Sequence, residues 1–139
     1  MADSNVTRRE LLALFAAFAA AGEAWSQDPV KSAPRNYRVA FENDKVRVLE
    51  YSSRARAPAL CGQGRHYHPA HLVISLTDVK ARVTLEDGKV IVAQDKAGDV
   101  FWAPAGMHTV ENLGSGAARA YIVESKDANW KPSTWSEKG

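Results

Sequence analysis

Three of the chain's four histidines stand within six residues, in His66-Tyr67-His68-Pro69-Ala70-His71. The fourth, His108, lies in Pro104-Ala105-Gly106-Met107-His108-Thr109. Neutral imidazole is a common ligand for divalent transition metals, with metal–nitrogen bonds of about 2.0–2.2 Å. On a strand, residues two apart share a face, so His66 and His68 point to the same side. Pro69 then bends the chain, and the bend can return His71 to that interior. His108 must arrive from a distant strand. Because the cluster opens the most apolar strand in the chain, it is read as a buried metal site rather than a surface tract of chelating side chains. The expected cofactor is one divalent ion. Imidazole donors suit Fe, Mn, Ni, Cu and Zn alike, so the donors do not choose the metal.

The elements that must position these residues read as strands. Short runs rich in Val, Ile, Tyr and Phe recur at 37–41, 45–52, 66–69, 71–77, 80–85, 89–94, 99–103, 108–112 and 117–124. Asn43-Asp44 separates the first two, and Asp87-Gly88 is a hairpin signal because glycine tolerates the positive φ of such turns. No segment after residue 36 carries a helical period. An all-β sandwich or barrel follows. Leu72, Val73, Ile74 and Leu76 make strand 71–77 apolar on both faces, so it needs cover on both sides. The polar stretch 126–139 holds Trp130 and Trp135, which are expected to pack on the barrel or on a partner.

At 139 residues the chain has room for one compact domain, and its 45% hydrophobic and 24% charged residues are ordinary for a globular protein. The net charge of +2 is scattered and forms no basic stripe, which argues against a nucleic-acid partner. A single cysteine, Cys61, excludes an intramolecular disulfide and is read as a small buried thiol. With every histidine claimed by the cluster, no Ser/His/Asp set is indicated. No Gly-rich phosphate loop precedes a helix, and no carboxylate pair for glycoside chemistry is visible. Arg47, Tyr51, Arg65 and Trp102 are within reach of a pocket. Taken singly, each is read as solvated surface or core. Asn112 is expected to close the turn after the last ligand strand.

Residues 1–26 form a separate segment. Leu11 to Ala21 is an unbroken apolar run, too short for a spanning helix of about 20 residues but suited to a cleavable export signal. Small residues around Gly22, Ala24 and Ser26 offer cleavage sites. Thr7-Arg8-Arg9-Glu10-Leu11-Leu12 resembles the bacterial twin-arginine export signal, with Leu11 in place of the usual Phe. The resemblance implies a periplasmic protein. Residues 27–36, with Pro29 and Pro34, read as a linker or arm leading into a barrel over 37–125.

Two segments resemble the signature motifs of the cupin superfamily. The first family motif is Gly, then His-x-His, then Glu; here Gly62 or Gly64 precedes His66-x-His68, and His71 stands at the Glu position. The second has its counterpart in Gly98, Pro104, Gly106, His108 and Asn112, one residue short before the histidine. The chain is thus similar to small single-domain cupins with an all-histidine metal site. The resemblance implies a double-stranded β-helix, or jelly-roll, barrel and the ligand set His66, His68, His71 and His108. A set of His66, His68 and His108 alone is also chemically adequate, with open positions for water, substrate or dioxygen. Replacing the anionic Glu by a neutral imidazole leaves the ion more of its charge, so it attracts an anionic substrate oxygen more strongly. Cupins with all-histidine sites resemble dioxygenases of diketones, thiols and other small chelating substrates. They also resemble non-catalytic metal-dependent binding or sensing modules. Pairing through the sheets is common among them, and a homodimer is expected.

Overall fold

The computed structural model describes residues 27–56 and 64–127. One turn of helix, α1 (Pro29–Ser32), precedes nine strands: β1 (Tyr37–Glu42), β2 (Val46–Ser53), β3 (His66–His68), β4 (His71–Ser75), β5 (Val79–Leu85), β6 (Val90–Asp95), β7 (Val100–Ala103), β8 (Gly106–Asn112) and β9 (Ala118–Ser125). They form a five-stranded sheet in the order β1-β2-β9-β4-β7 and a four-stranded sheet in the order β3-β8-β5-β6. Every pairing is antiparallel. Each strand read from the sequence is present. Cys61, Trp130, Trp135 and the export segment lie outside the described residues.

Turn chemistry sets the register. The Asn43 side chain accepts hydrogen bonds from the Lys45 and Val46 amides and closes the β1–β2 turn. At the β5–β6 hairpin, Gly88 has φ +83°, and Asp87 accepts from the Lys89 amide. Asn112 does close its turn: its amide donates to the carbonyls of Arg54 and Gly116, and its oxygen accepts from the Gly114 amide.

The segment read as an arm carries structure of its own. Asp28 caps α1 by accepting from the Val30 amide at 2.9 Å, and Pro29 takes the first helical position, where no amide hydrogen is needed. Ala33 is then fully buried and joins Tyr37, Leu49, Tyr51, Ala118, Ala120 and Ile122 in the core. The Gln27 carbonyl accepts from the Tyr67 amide, so the arm lies along β3. A polar segment of this length carries no helical period, which is why the turn was not legible.

Strand β4 has the two faces expected of it. His71, Val73 and Ser75 face the barrel interior, whereas Leu72 and Ile74 alternate with them and face out. On the outer face a row crosses the whole sheet, pairing Phe41 with Val48, Val48 with Val123, Val123 with Leu72 and Leu72 with Trp102. A bulge between Val39 and Phe41 turns Phe41 onto this row. Phe41 is 54% and Trp102 37% exposed.

Candidate metal centre

The site grows out of two strand pairings. His66 on β3 lies directly opposite His108 on β8, and His68 lies opposite Gly106. His71 opens β4 and faces Glu124 on β9. The Pro69 bend between β3 and β4 carries His71 from one sheet to the other while keeping its side chain inside. All four imidazoles are buried.

His66, His68 and His108 each place a donor nitrogen within 4.8 Å of the others. Their ring centroids stand 4.7–5.2 Å apart. His71 lies beside this trio, 4.7 Å from the His68 ring and 6.5 Å from the His108 ring. The structure therefore brings all four histidines to one place, with three of them in the tighter group.

Hydrogen bonds orient the rings. His66 Nδ1 lies 2.8 Å from the Gly64 carbonyl, and His71 Nδ1 lies 2.7 Å from the Pro69 carbonyl. A carbonyl can only accept, so both Nδ1 atoms carry the proton and both Nε2 lone pairs remain for another partner. His68 Nδ1 donates to Glu124 Oε1 at 2.7 Å. The Nε2 of His68 is buried without a hydrogen-bond partner. An orphaned acceptor among neutral imidazoles fits a divalent cation, since a metal bond would satisfy it. A carboxylate behind a ligating histidine fixes the tautomer and raises the basicity of the other nitrogen.

Burial lowers the basicity of all four rings. It pulls His71 down to about 4, and it pulls His68 and His108 well below the ordinary value, helped by the neighbouring histidines. His66 is lowered by the same burial, partly offset by its bond to Gly64. At neutral pH the cluster is uncharged and needs no deprotonation to ligate. Burial pushes the Glu124 carboxyl up to about 7, against the opposing pull of Arg47.

Two functional residues carry no sequence motif. Glu124 sits in the inward register of β9, after Ala118, Ala120 and Ile122; a lone acid in an apolar inward row was the available signal. Tyr37 Oη lies 3.0 Å from His66 Nε2 and donates to it in the metal-free chain; an ion bound at that lone pair would displace the phenol proton from it and leave the hydroxyl as a donor beside the ligands. Burial first, then Tyr51 and Glu124, holds this phenol well above its ordinary value, so it keeps its proton.

The side chains named as within reach of a pocket divide. Tyr51 lines the cavity beside the histidines. Arg47 is turned behind the site, paired with Asp28 and 3.6 Å from Glu124. Arg65 is half-exposed, 3.8 Å from Glu86, and Trp102 faces out. Tyr67 alternates with the histidines and faces the hollow on Arg47's side.

The cavity holds about 520 Å³ and reaches from His68, His71 and His108 to Ser75 and Asp95. Among the described residues no helix is long and apolar enough to cross a membrane.

No protein-family model matches the chain. No curated protein matches it in sequence. Solved structures do match. A cupin domain from Bordetella pertussis Tohama I is 22% identical with a TM-score of 0.57, over 65% of this chain and 91% of that one. An RmlC-like cupin family protein with a double-stranded β-helix fold, from Methanocaldococcus jannaschii, is 15% identical with a TM-score of 0.51, over 64% of this chain and 77% of that one. These likenesses establish the fold.

Proposed function

We propose that this chain, which has the cupin fold, is a mononuclear divalent-metal protein that binds and activates a small chelating molecule. The observation that carries the reading is the unpartnered, buried Nε2 of His68 inside a group of three neutral imidazoles. His66, His68 and His108 would hold the ion, with His71 as a fourth ligand. A bound ion would act as a Lewis acid toward an oxygen or thiolate of the ligand, and iron or copper would also engage dioxygen. The protein's own residues set the frame. Glu124 keeps the proton on His68 Nδ1, the Gly64 and Pro69 carbonyls do the same for His66 and His71, and the Tyr37 phenol supplies a donor beside the ligands. The adjoining cavity favours an oxygenase-type enzyme over a closed structural centre, because an open coordination position would face space for a ligand. A non-catalytic binding or sensing module uses the same geometry without turnover.

Elemental analysis of protein purified from its native compartment tests the metal reading, followed by oxygen-consumption assays with β-diketones and thiols. About one ion per chain is expected, with most of it lost in a His66→Ala/His108→Ala double variant. Wild-type metal content in that variant would sink the assignment. Metal binding without oxygen uptake on any of these substrates would favour the binding module.

Two further readings belong to the whole protein. The apolar row on the outer face of the five-stranded sheet supports a homodimer in which a second copy covers it. Arg8 and Arg9 support export to the periplasm in folded form. Fractionation of cells producing the Arg8→Lys/Arg9→Lys variant tests the export reading, and normal periplasmic accumulation of that variant would remove the twin-arginine route.

A further inference from the structure

The strand registers stack the barrel interior in layers. The first layer is the metal centre, with His71 opposite Glu124 and His66 opposite His108. One step along, Val73 is paired with Ile122 on one side and Phe101 on the other. In the facing sheet, Val83 is paired with Val110 and Ile91. These six side chains make an apolar belt through both sheets. One step further stand Ser75 opposite Ala120 and Ala81 opposite Ala93, all small. The span from His71 to Ser75 is about 13 Å at the rise of a strand. Tyr51 and Tyr37 continue the row of Ser75 and Ala120, and Asn112 continues that of Ala93 and Ala81, so the third layer is small at these four positions and closed by larger side chains beyond them. The four small residues and the six of the belt line the same cavity of about 520 Å³.

Charge is distributed in one sense. Among the described residues lining the cavity there is no lysine or arginine, and the acidic one is Asp95. Arg47, the cation nearest the site, is held behind Glu124 by Asp28. A ligand that carried a second anionic group into the belt would meet apolar side chains and, among the described lining residues, no cationic one. At the metal end the charges reverse. Neutral imidazoles leave a divalent ion its full charge, which attracts an anionic oxygen, and the Tyr37 hydroxyl, 3.0 Å from His66 Nε2, would stand beside it as a donor once the ion takes that lone pair. The lining continues on both faces of edge strand β6, from Ile91 to Gln94, and Val92 is 54% exposed. The cavity therefore reaches solvent past that edge.

We infer that the ligand of this site has a single oxygen-chelating head, seated at the histidines beside Tyr37, and an uncharged apolar body that fills the belt of Val73, Val83, Ile91, Phe101, Val110 and Ile122. This rests on the metal reading for its head and on the cavity alone for its body. A small dianion such as oxalate carries no apolar body and leaves the belt unfilled.

The test uses the full-length chain loaded with Co²⁺ and three probes, acetohydroxamate, benzohydroxamate and oxalate, with affinities read by calorimetry and the cobalt spectrum. The phenyl group adds apolar area to the same head, so benzohydroxamate should bind roughly tenfold or more tighter than acetohydroxamate. Oxalate should bind more weakly than benzohydroxamate. In an Ile91→Asn variant that keeps the cobalt spectrum, benzohydroxamate should lose roughly fivefold in affinity and acetohydroxamate less than twofold. Equal hydroxamate affinities, or oxalate tightest of the three, would overturn the ligand class while leaving the metal centre standing. Absence of cobalt uptake would instead overturn the metal centre. The body of the ligand is then decided by toluene and the metal-free chain: shifted methyl resonances of Val73, Ile91, Val110 and Ile122 support the apolar class, and unshifted ones refute it.

Discussion

Replacing Glu124 by Gln should change metal affinity and metal-free stability in opposite directions. The substitution keeps the shape of the side chain and an oxygen for the His68 Nδ1–H, now 2.7 Å from Glu124 Oε1, but it removes the charge. Arg47 keeps Asp28 as a partner. An anion behind a ligating imidazole makes its other nitrogen a better donor, and losing such a partner weakens metal binding by about 10–100-fold. Because the amide still accepts from His68, the lower figure applies, roughly tenfold or about 1.4 kcal/mol. Stability without metal follows the other sign. Burial raises the Glu124 carboxyl from 4.5 to about 7, so the folded chain resists its ionisation. That contribution is fully present below pH 4.5 and is lost as the pH rises through 7. At pH 8 the buried charge costs on the order of 3 kcal/mol. The neutral amide relieves part of this, and a gain of about 1–2 kcal/mol is expected at pH 8 and none at pH 4. Calorimetric titration with Zn²⁺ gives the affinity, and urea unfolding of the metal-free chain at the two pH values gives the stability. A defect of packing would lower both quantities. Unchanged zinc affinity, or a metal-free variant less stable than the parent at pH 8, would refute the reasoning.

His71→Ala should leave metal affinity within about tenfold of the parent, whereas His66→Ala or His108→Ala should lower it about 100-fold or more; equal losses in all three would make the four-ligand sphere essential. In the metal-free Glu124→Gln chain, where the opposing contribution of Glu124 is absent, stability should fall as the pH drops from 6.5 to about 4, because the unfolded chain takes up protons that the buried histidines refuse; His71 alone, lowered to about 4, contributes on the order of 3 kcal/mol over that window. A urea midpoint that stays level between pH 6.5 and 4 would contradict this. Light scattering should return twice the chain mass for the parent protein and the single mass for Leu72→Lys, since a lysine in the centre of the outer row would bury an unpaired charge. A parent protein of single mass removes the dimer.

Much of the fold was open to a reading of the sequence because its signals are local. Period-2 apolar runs mark strands, and Asn43-Asp44 and Asp87-Gly88 mark turns through backbone chemistry that needs no distant partner. The histidines were legible for the same reason: His66 and His68 share a face by strand geometry, and Pro69 guarantees a bend before His71. What remained closed was everything set by registers between distant strands. Nothing near Glu124 in the chain says that it will face His71 and accept from His68, 56 residues away. Tyr37 reads as an ordinary strand residue until the two sheets close and bring its hydroxyl to His66, and Arg47, within reach of a pocket but read as solvated surface, is drawn behind the site by Asp28, on a cap too short to show a period. The belt through Val73, Val83, Ile91, Phe101, Val110 and Ile122 draws one side chain from each of the six strands β4 to β9. Its existence depends on side-chain alternation, which each strand carries, and on alignment between strands, which only pairing in three dimensions decides. Residue types and spacing thus determined that a metal could be held, and the tertiary arrangement decided what surrounds it, because charge pairing and cavity shape are properties of facing surfaces rather than of neighbours in the chain.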